Sequence, residues 1–429
     1  MRLIARTSAA LALAAVLGGA PFAKAAEPME RVVAGVVGSP GFQSALATLA
    51  AEHDRTVADI VTLTEIPAPP FKEAARAAAY AEMFRAHGLA DVEIDAEGNV
   101  LGLRKGSGEG PLVVVAAHLD TVFPEGVDVT VRREGTRLMA PGIGDDSRSL
   151  AVLLAYVRAL DAAGVRTRAD ILFVGDVGEE GPGDLRGVRH LFNAGRYKGR
   201  IGAFFSLDGT DPSRVVSGGV GSRRFRITFE GPGGHSYGAF GIVNPMAAMA
   251  GAIQGLYRLT PPAEPRTTYS ASVVGGGVSV NSIPNEVWLE VDMRSEDAGA
   301  LAALEADMRA EVDKAVAAEN AARSTRFGAV SARYTLIGDR PAGRTPEAAA
   351  IVQAALAANR AQGYAPELVA SSTDANVPMS LGVPAITLGS GGKGGRAHAP
   401  DEWIDVEPVE SVRGMAVGLA ALLAVAGVR

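Results

Sequence analysis

Cysteine is missing altogether from this 429-residue chain. Its absence excludes disulfides, a lipidated cysteine anchor, and thiol catalysis or ligation, so any metal must sit on histidine, aspartate and glutamate. Positive charge is not in excess either: 41 Lys and Arg stand against 48 acids, a formal charge of −7. That balance argues against nucleic acid and anionic membrane as partners. Beyond the first 25 residues no stretch reads as a membrane span; Met415 to Val428 is apolar but short, and is expected to be a closing helix packed on the core. Of the six histidines, His53, His87 and His190 fall in no ligand-like pattern and read as helix-surface or structural residues.

What is present begins with an N-terminal segment built like an export signal. Arg2 and Arg6 give a positive start, Ala9 to Ala20 is apolar but shorter than a span needs, and Ala23-Lys24-Ala25 fits a small-x-small cleavage site. The expectation is an exported chain, periplasmic or secreted, beginning at Ala26. Loss of Arg2, Arg6 and Lys24 would take the charge from −7 to about −10, since no acid leaves with them. The remainder, 48% hydrophobic over a chain sized for two domains, has a globular composition.

From about Pro40 a helix runs to the proline-rich turn at Pro67 to Pro70, and Lys72 to His87 reads as a second helix. Apolar runs then alternate with helical patterns: strand Leu112 to Ala117, helix Arg148 to Ala163, strand Ala169 to Val174, helix Asp184 to Phe192, strand Gly202 to Leu207. This rhythm predicts an α/β domain, a mostly parallel sheet flanked by helices, with ligands gathered beyond the carboxyl ends of its strands. Near Ser217 the rhythm changes to β-α-β-β-α-β, which suits a ferredoxin-like α+β sandwich. The first pattern resumes after Arg344 with strand Ala385 to Leu388. Residues 40–216 and 340–429 are therefore expected to form one domain, with 217–339 inserted in it.

The chemistry-bearing residues fall at expected strand ends. The apolar run Ile171 to Val174 is released by Gly175, Gly178 and Gly181 into a loop presenting Glu179 and Glu180. Adjacent acids there can divide the work: one binds a cation while its neighbour serves as general base on an activated water. Leu112 to Ala117 ends in His118-Leu-Asp120, where Asp120 can turn back to orient the imidazole. Asp145 and Asp146 precede a helix; Asp145 is placed to bridge two cations, leaving Asp146 to cap the helix or support the ligands. Asp208 ends another strand, and a glycine-rich loop presents His398. His118, Asp145, Glu180, Asp208 and His398 make five N/O donors with one shared carboxylate, the requirement of a two-metal hydrolytic centre.

Taken collinearly, His118-Leu-Asp-Thr-Val-Phe-Pro, Gly144-Asp-Asp, Gly178-Glu-Glu-Gly, Leu207-Asp-Gly, Gly233-Gly-His-Ser, Asn281-Ser-Ile-Pro-Asn, Asp292-Met-Arg, Ser372-Thr-Asp-Ala-Asn and Ala397-His-Ala-Pro-Asp-Glu resemble the M20 family of zinc metallopeptidases. That group includes peptidase T-like tripeptidases, glutamate carboxypeptidases and aminoacylases. The resemblance implies two zinc ions, with cobalt or manganese as possible replacements. His118 and Asp208 would hold one, Glu180 and His398 the other, and Asp145 would bridge them. It also implies Glu179 as general base, Asp120 orienting His118, and His235 as oxyanion donor, reaching a partner's site in a homodimer formed through the inserted domain. Asn281 and Arg294 match substrate-side positions. One departure is Ser147-Arg148-Ser149, where the family often has lysine and glycine after the paired aspartates. The implied activity is cleavage of amide bonds in small peptides by di- or tripeptidase or carboxypeptidase action. An N-acyl amino acid amidohydrolase is the alternative, and a non-catalytic periplasmic binding protein a more distant one.

Overall fold

The computed structural model describes residues 28–429; the segment read as an export signal lies outside them. Its organising element is a nine-stranded mixed sheet. At the centre Ile171–Asp176, Leu112–His118, Ile201–Leu207 and Ala385–Leu388 run parallel in that order, and antiparallel strands, among them Val100–Arg104, lie toward the margins. The alternation of the sheet explains why the sequence is apolar through most of these strands. Val113, Val115 and Ala117 face a large cluster with the helices His53–Thr64, Ala74–Ala86, Arg148–Ala162 and Pro408–Ala426. Val114 and Ala116 face a second cluster with Val188, Leu191 and Phe192 of the helix Arg186–Asn193. Both faces are covered, so the strands read as continuous hydrophobic runs. Each valine, leucine or phenylalanine among them contributes about 1.5–3 kcal/mol when taken from water.

The N-terminal region departs from the single helix expected from Pro40. It forms Met29–Val37, Pro40–Ala51 and His53–Thr64. The first break is chemical: Ser39 accepts a hydrogen bond from the Phe42 N–H, and Pro40 opens the next helix. The C-terminal helix starts earlier than expected, at Pro408, because Glu407 caps it by accepting from the N–H groups of Val409 and Glu410. This is the one helix among the described residues long and apolar enough to cross a membrane, and its residues are mostly buried against the sheet.

The second body is a four-stranded antiparallel sheet, with Thr267–Gly276, Glu286–Ser295, Gly221–Glu230 and Ser331–Arg340 side by side in that order. Helices Pro245–Leu256 and Ala298–Ala322 pack on one face around Ile227, Phe229, Leu289 and Val291. Strand order and connections are those of a ferredoxin-like sandwich. Its last strand continues to Arg340, one residue past 339, the expected end of the inserted segment. A further small sheet, absent from the sequence reading, joins Lys393–Gly395, Trp403–Asp405, Arg137–Met139 and Arg132–Glu134. It ties the His398 loop to the segment that leads into Asp145.

Candidate metal centre

The centre lies at the carboxyl ends of the parallel strands. His118 ends its strand fully buried, and its Nδ1–H donates to the backbone carbonyl of Asp120 at 2.9 Å. That bond commits Nδ1 as a donor and turns Nε2 toward Asp145 Oδ1, 2.9 Å away. The other oxygen of Asp145, Oδ2, lies 3.1 Å from His398 Nε2. His398 Nε2 is also 3.0 Å from Glu180 Oε1. Asp145 therefore presents one oxygen to each histidine. Asp208 and Asp146 both offer an oxygen within 4.8 Å of His118.

Asp120 plays a larger part than orienting an imidazole, and does so differently. Its carboxylate is 3.8 Å from His118 Nδ1, so the orienting contact is its backbone carbonyl. The carboxylate itself accepts three backbone N–H groups, from Gly178 at 2.8 Å, Glu179 at 3.1 Å and Glu180 at 2.8 Å. It is the buried anchor of the loop carrying both acids. Gly178 turns this loop at φ +76, and a Cβ there would meet Arg186. Asp146 does not cap the following helix; its Oδ2 accepts from the His118 N–H at 3.2 Å.

Several contributors were not legible as such in the sequence. Glu402, inside the last motif but given no role there, accepts from the N–H groups of Gly142, Gly144 and Asp145. It holds Asp145 from behind. Burial, with the charge of Asp145, pushes its carboxyl up to about 7. Arg340, on the last strand of the second domain, reaches Glu179: Nη1 lies 3.1 Å from Oε1, and Nη2 donates to the Glu179 carbonyl. Only the side chain's place in three dimensions reveals this, since a strand-end arginine carries no signal. Asp176 and Asp374 are buried against one another, and their oxygens have no other partner among the described residues. Burial raises both, and the pair can hold a shared proton.

Electrostatics show what the donor set fits. Burial disfavours a charged His118, but hydrogen bonding to Asp145 and the charges of Asp146, Asp145 and Asp120 outweigh it and raise its pKa well above the ordinary value. Hydrogen bonds to Asp145 and Glu180 lift His398 to about 10. Asp208 is pushed up to about 7 by burial and by Asp145. Carboxylates thus outnumber the compensating charge, and protons on two imidazoles stand where cations would serve. Ligation requires neutral rings, so metal uptake and proton loss are linked. Loading the protein with zinc near pH 7 should release at least two protons, from the two imidazoles and in part from Asp208, and zinc affinity should fall as pH falls. Titration calorimetry in buffers of different ionisation enthalpy reads this directly; an uptake that releases no protons would contradict the arrangement.

The remaining sequence candidates sit on the second domain. His235 pairs with Ser282 in a short two-stranded piece, and its Nδ1 accepts from the N–H groups of Tyr237 and Gly238. In the neutral ring the hydrogen is then on Nε2. The Asn281 carbonyl accepts from the Ser236 N–H, beside His235. Arg294 is engaged with Asp292 at 2.7 Å. Among the described residues none of these three contacts the five donors by a hydrogen bond or ion pair. His53, His87 and His190 lie on helices or at their ends, away from the cluster.

Comparison with known proteins agrees with this geometry. The model of peptidase family M20/M25/M40 matches residues 114–424, and the chain belongs to that family. Its domain is an M20 hydrolase domain. A succinyl-diaminopimelate desuccinylase from Leptothrix cholodnii is 28% identical over 247 residues, which are 53% of this chain and 63% of that protein. The chain spans 34% and 32% of the lengths of two relatives from Pyrococcus abyssi and Pyrococcus furiosus. In fold it is similar to the aminopeptidase PepT from Bacillus cereus, with TM-score 0.71 and 20% identity over 87% of this chain and 99% of that one. It is also similar to YXEP from Bacillus subtilis, a dinuclear metal binding peptidase of the M20 family, with TM-score 0.64 and 18% identity over 88% and 99% of the two chains.

Proposed function

We propose that the protein is a two-zinc hydrolase of amide bonds in small peptides or N-acyl amino acids. The observation that carries this reading is Asp145, one oxygen on each ligand histidine, beside a Glu179 that makes no contact with either. His118 and Asp208 would hold one ion, Glu180 and His398 the other, with Asp145 between them. When bound, such ions supply Lewis acidity, lowering the pKa of water and polarising the scissile carbonyl. Glu179 would take the proton from the attacking water and deliver it to the departing amine. Arg340 holds Glu179 in place.

His235 offers an Nε2–H to the developing oxyanion, and we place it in a partner subunit's site. Support comes from its separation from the cluster and from the exposed apolar residues around it, Tyr237, Phe240, Val278 and Val280. The basic, then apolar, N-terminal segment supports export; a chain retained whole in the cytoplasm would remove that part.

The reading is tested by hydrolysis of dipeptides, tripeptides and N-acyl amino acids by the zinc-loaded, chelated and reloaded protein, with molar mass measured in parallel. Turnover should vanish on chelation and return with zinc. His235→Ala should cost about 3 kcal/mol of transition-state stabilisation, a roughly hundredfold loss. Turnover that survives chelation sinks the metal mechanism, and a fully active monomer sinks the partner role of His235.

A further inference from the structure

A cavity of about 350 Å³ opens at the end of the main sheet opposite the metal centre. There Arg104 closes its strand beside Ile171, the first residue of the strand whose other end, Asp176, lies beside His118. Of the eight residues lining the cavity four are basic, Arg104, Lys105, Arg166 and Arg429, and none is acidic. In a chain with 48 acids against 41 Lys and Arg, that local excess runs against the composition.

Arg104 is the fixed member of the group. Its side chain is 12% exposed, with Nε donating to Asp161 at 2.9 Å and Nη2 to the Val165 carbonyl at 2.7 Å. Its remaining nitrogen, Nη1, is buried and has no hydrogen-bond partner among the described residues. A buried donor left without an acceptor is costly, so a bare arm on an otherwise anchored guanidinium marks a place for one. Lys105 and Arg166 are exposed, and among the described residues their side chains make no ion pair and no hydrogen bond.

The acids nearby are engaged elsewhere. Asp161 is held by Arg104, Glu109 by Arg429, and Asp170 Oδ1 by the Gly106 N–H at 2.8 Å. The terminal carboxyl of Arg429 forms no ion pair among the described residues. The hydroxyls are taken too: Thr167 Oγ1 donates to the Ala169 carbonyl, and Ser107 Oγ lies 3.1 Å from Glu109 Oε1. The cavity therefore offers positive charge and donors without an anion of its own. An anchored guanidinium, with an ammonium and a second guanidinium free to close from other sides, suits a dianion whose oxygens point in several directions.

We propose that this cavity is an anion site that takes a phosphate group. None of the five metal donors lines it, so the proposal stands apart from the hydrolase reading. The group has two possible sources, free inorganic phosphate or the phosphoryl group of a small organic ester.

The test is calorimetric titration of the zinc-loaded protein with inorganic phosphate and with glycerol phosphate, in wild type, in the double variant Lys105→Gln with Arg166→Gln, and in Arg104→Gln. Phosphate can also ligate zinc, so the quantity read is the binding that these variants remove while zinc content stays unchanged. The double variant and Arg104→Gln should each bind about tenfold or more weakly than wild type, given what a hydrogen bond to a charged group contributes. Tighter binding of glycerol phosphate assigns the group to an ester, and tighter binding of inorganic phosphate to the free ion; both uphold the site. No binding of either probe by wild type, or equal binding by wild type and the double variant, overturns it. Should Arg104→Gln fail to fold, the double variant still decides, because it changes only exposed side chains.

Discussion

Glu179→Gln should lower kcat by about 10²- to 10⁴-fold, the range a positioned general base supplies, with KM little changed and both cations retained. The substitution keeps the size of the side chain and a carbonyl oxygen for Arg340, which lies 3.1 Å from Glu179 Oε1. Glu179 touches none of His118, Asp145, His398 or Asp208 in the donor contacts described, so the ligand set should survive. The measurement is single-turnover kinetics on the most active amide, with metal content determined on the same samples. A variant within tenfold of wild type would assign the proton transfer to another group. One that loses its metal would make Glu179 a structural member of the centre.

Asp120→Ala should be the most damaging single change to the centre as a structure. It removes a fully buried carboxylate and strands the N–H groups of Gly178, Glu179 and Glu180. At about 1–3 kcal/mol for each buried donor left unpaired, the loss is about 3 kcal/mol or more. That is a large part of the 5–15 kcal/mol typical of a folded domain. Asp120→Asn should fall between. Its amide oxygen can keep the two bonds that Oδ1 makes to Gly178 and Glu179, while its NH₂ would face the Glu180 N–H. Because Glu180 is among the five donors, zinc affinity should weaken in the same order as thermal stability. Thermal unfolding with zinc titration checks this; an Ala variant melting with wild type would mean the loop is held from elsewhere.

These two residues also show how far the sequence could be read. Glu179 and Glu180 were visible because a buried strand's apolar run stops at glycines and leaves nothing but acids to explain. Local patterns of that kind also gave the α/β class, the parallel centre and the ferredoxin-like sandwich. Asp120 was visible as a neighbour of His118, but its three bonds come from residues 58 to 60 positions away. Periodicity says nothing about such partners. The same holds for Glu402 and Arg340, whose contacts reach across 257 to 260 residues in one case and from the second sheet to the first in the other. Arg294 shows the opposite failure: its motif was legible, while its pairing with Asp292 was not. The small sheet that carries the His398 loop went unread because strands as short as Lys393–Gly395 have no period to detect.

The long reach of Glu402 has a consequence for the protein's birth. It closes on Asp145 across 257 residues, and His398 closes on Glu180 across 218. The whole ferredoxin-like body is threaded between those two halves of the cluster. A ribosome that has made everything up to Gly395 has made four of the five donors and no finished pocket. Contacts so distant along the chain are entropically costly and form late. The apparatus that seizes the metal is therefore completed only by the last few dozen residues, and a prematurely ended chain carries the acids without the means to assemble them.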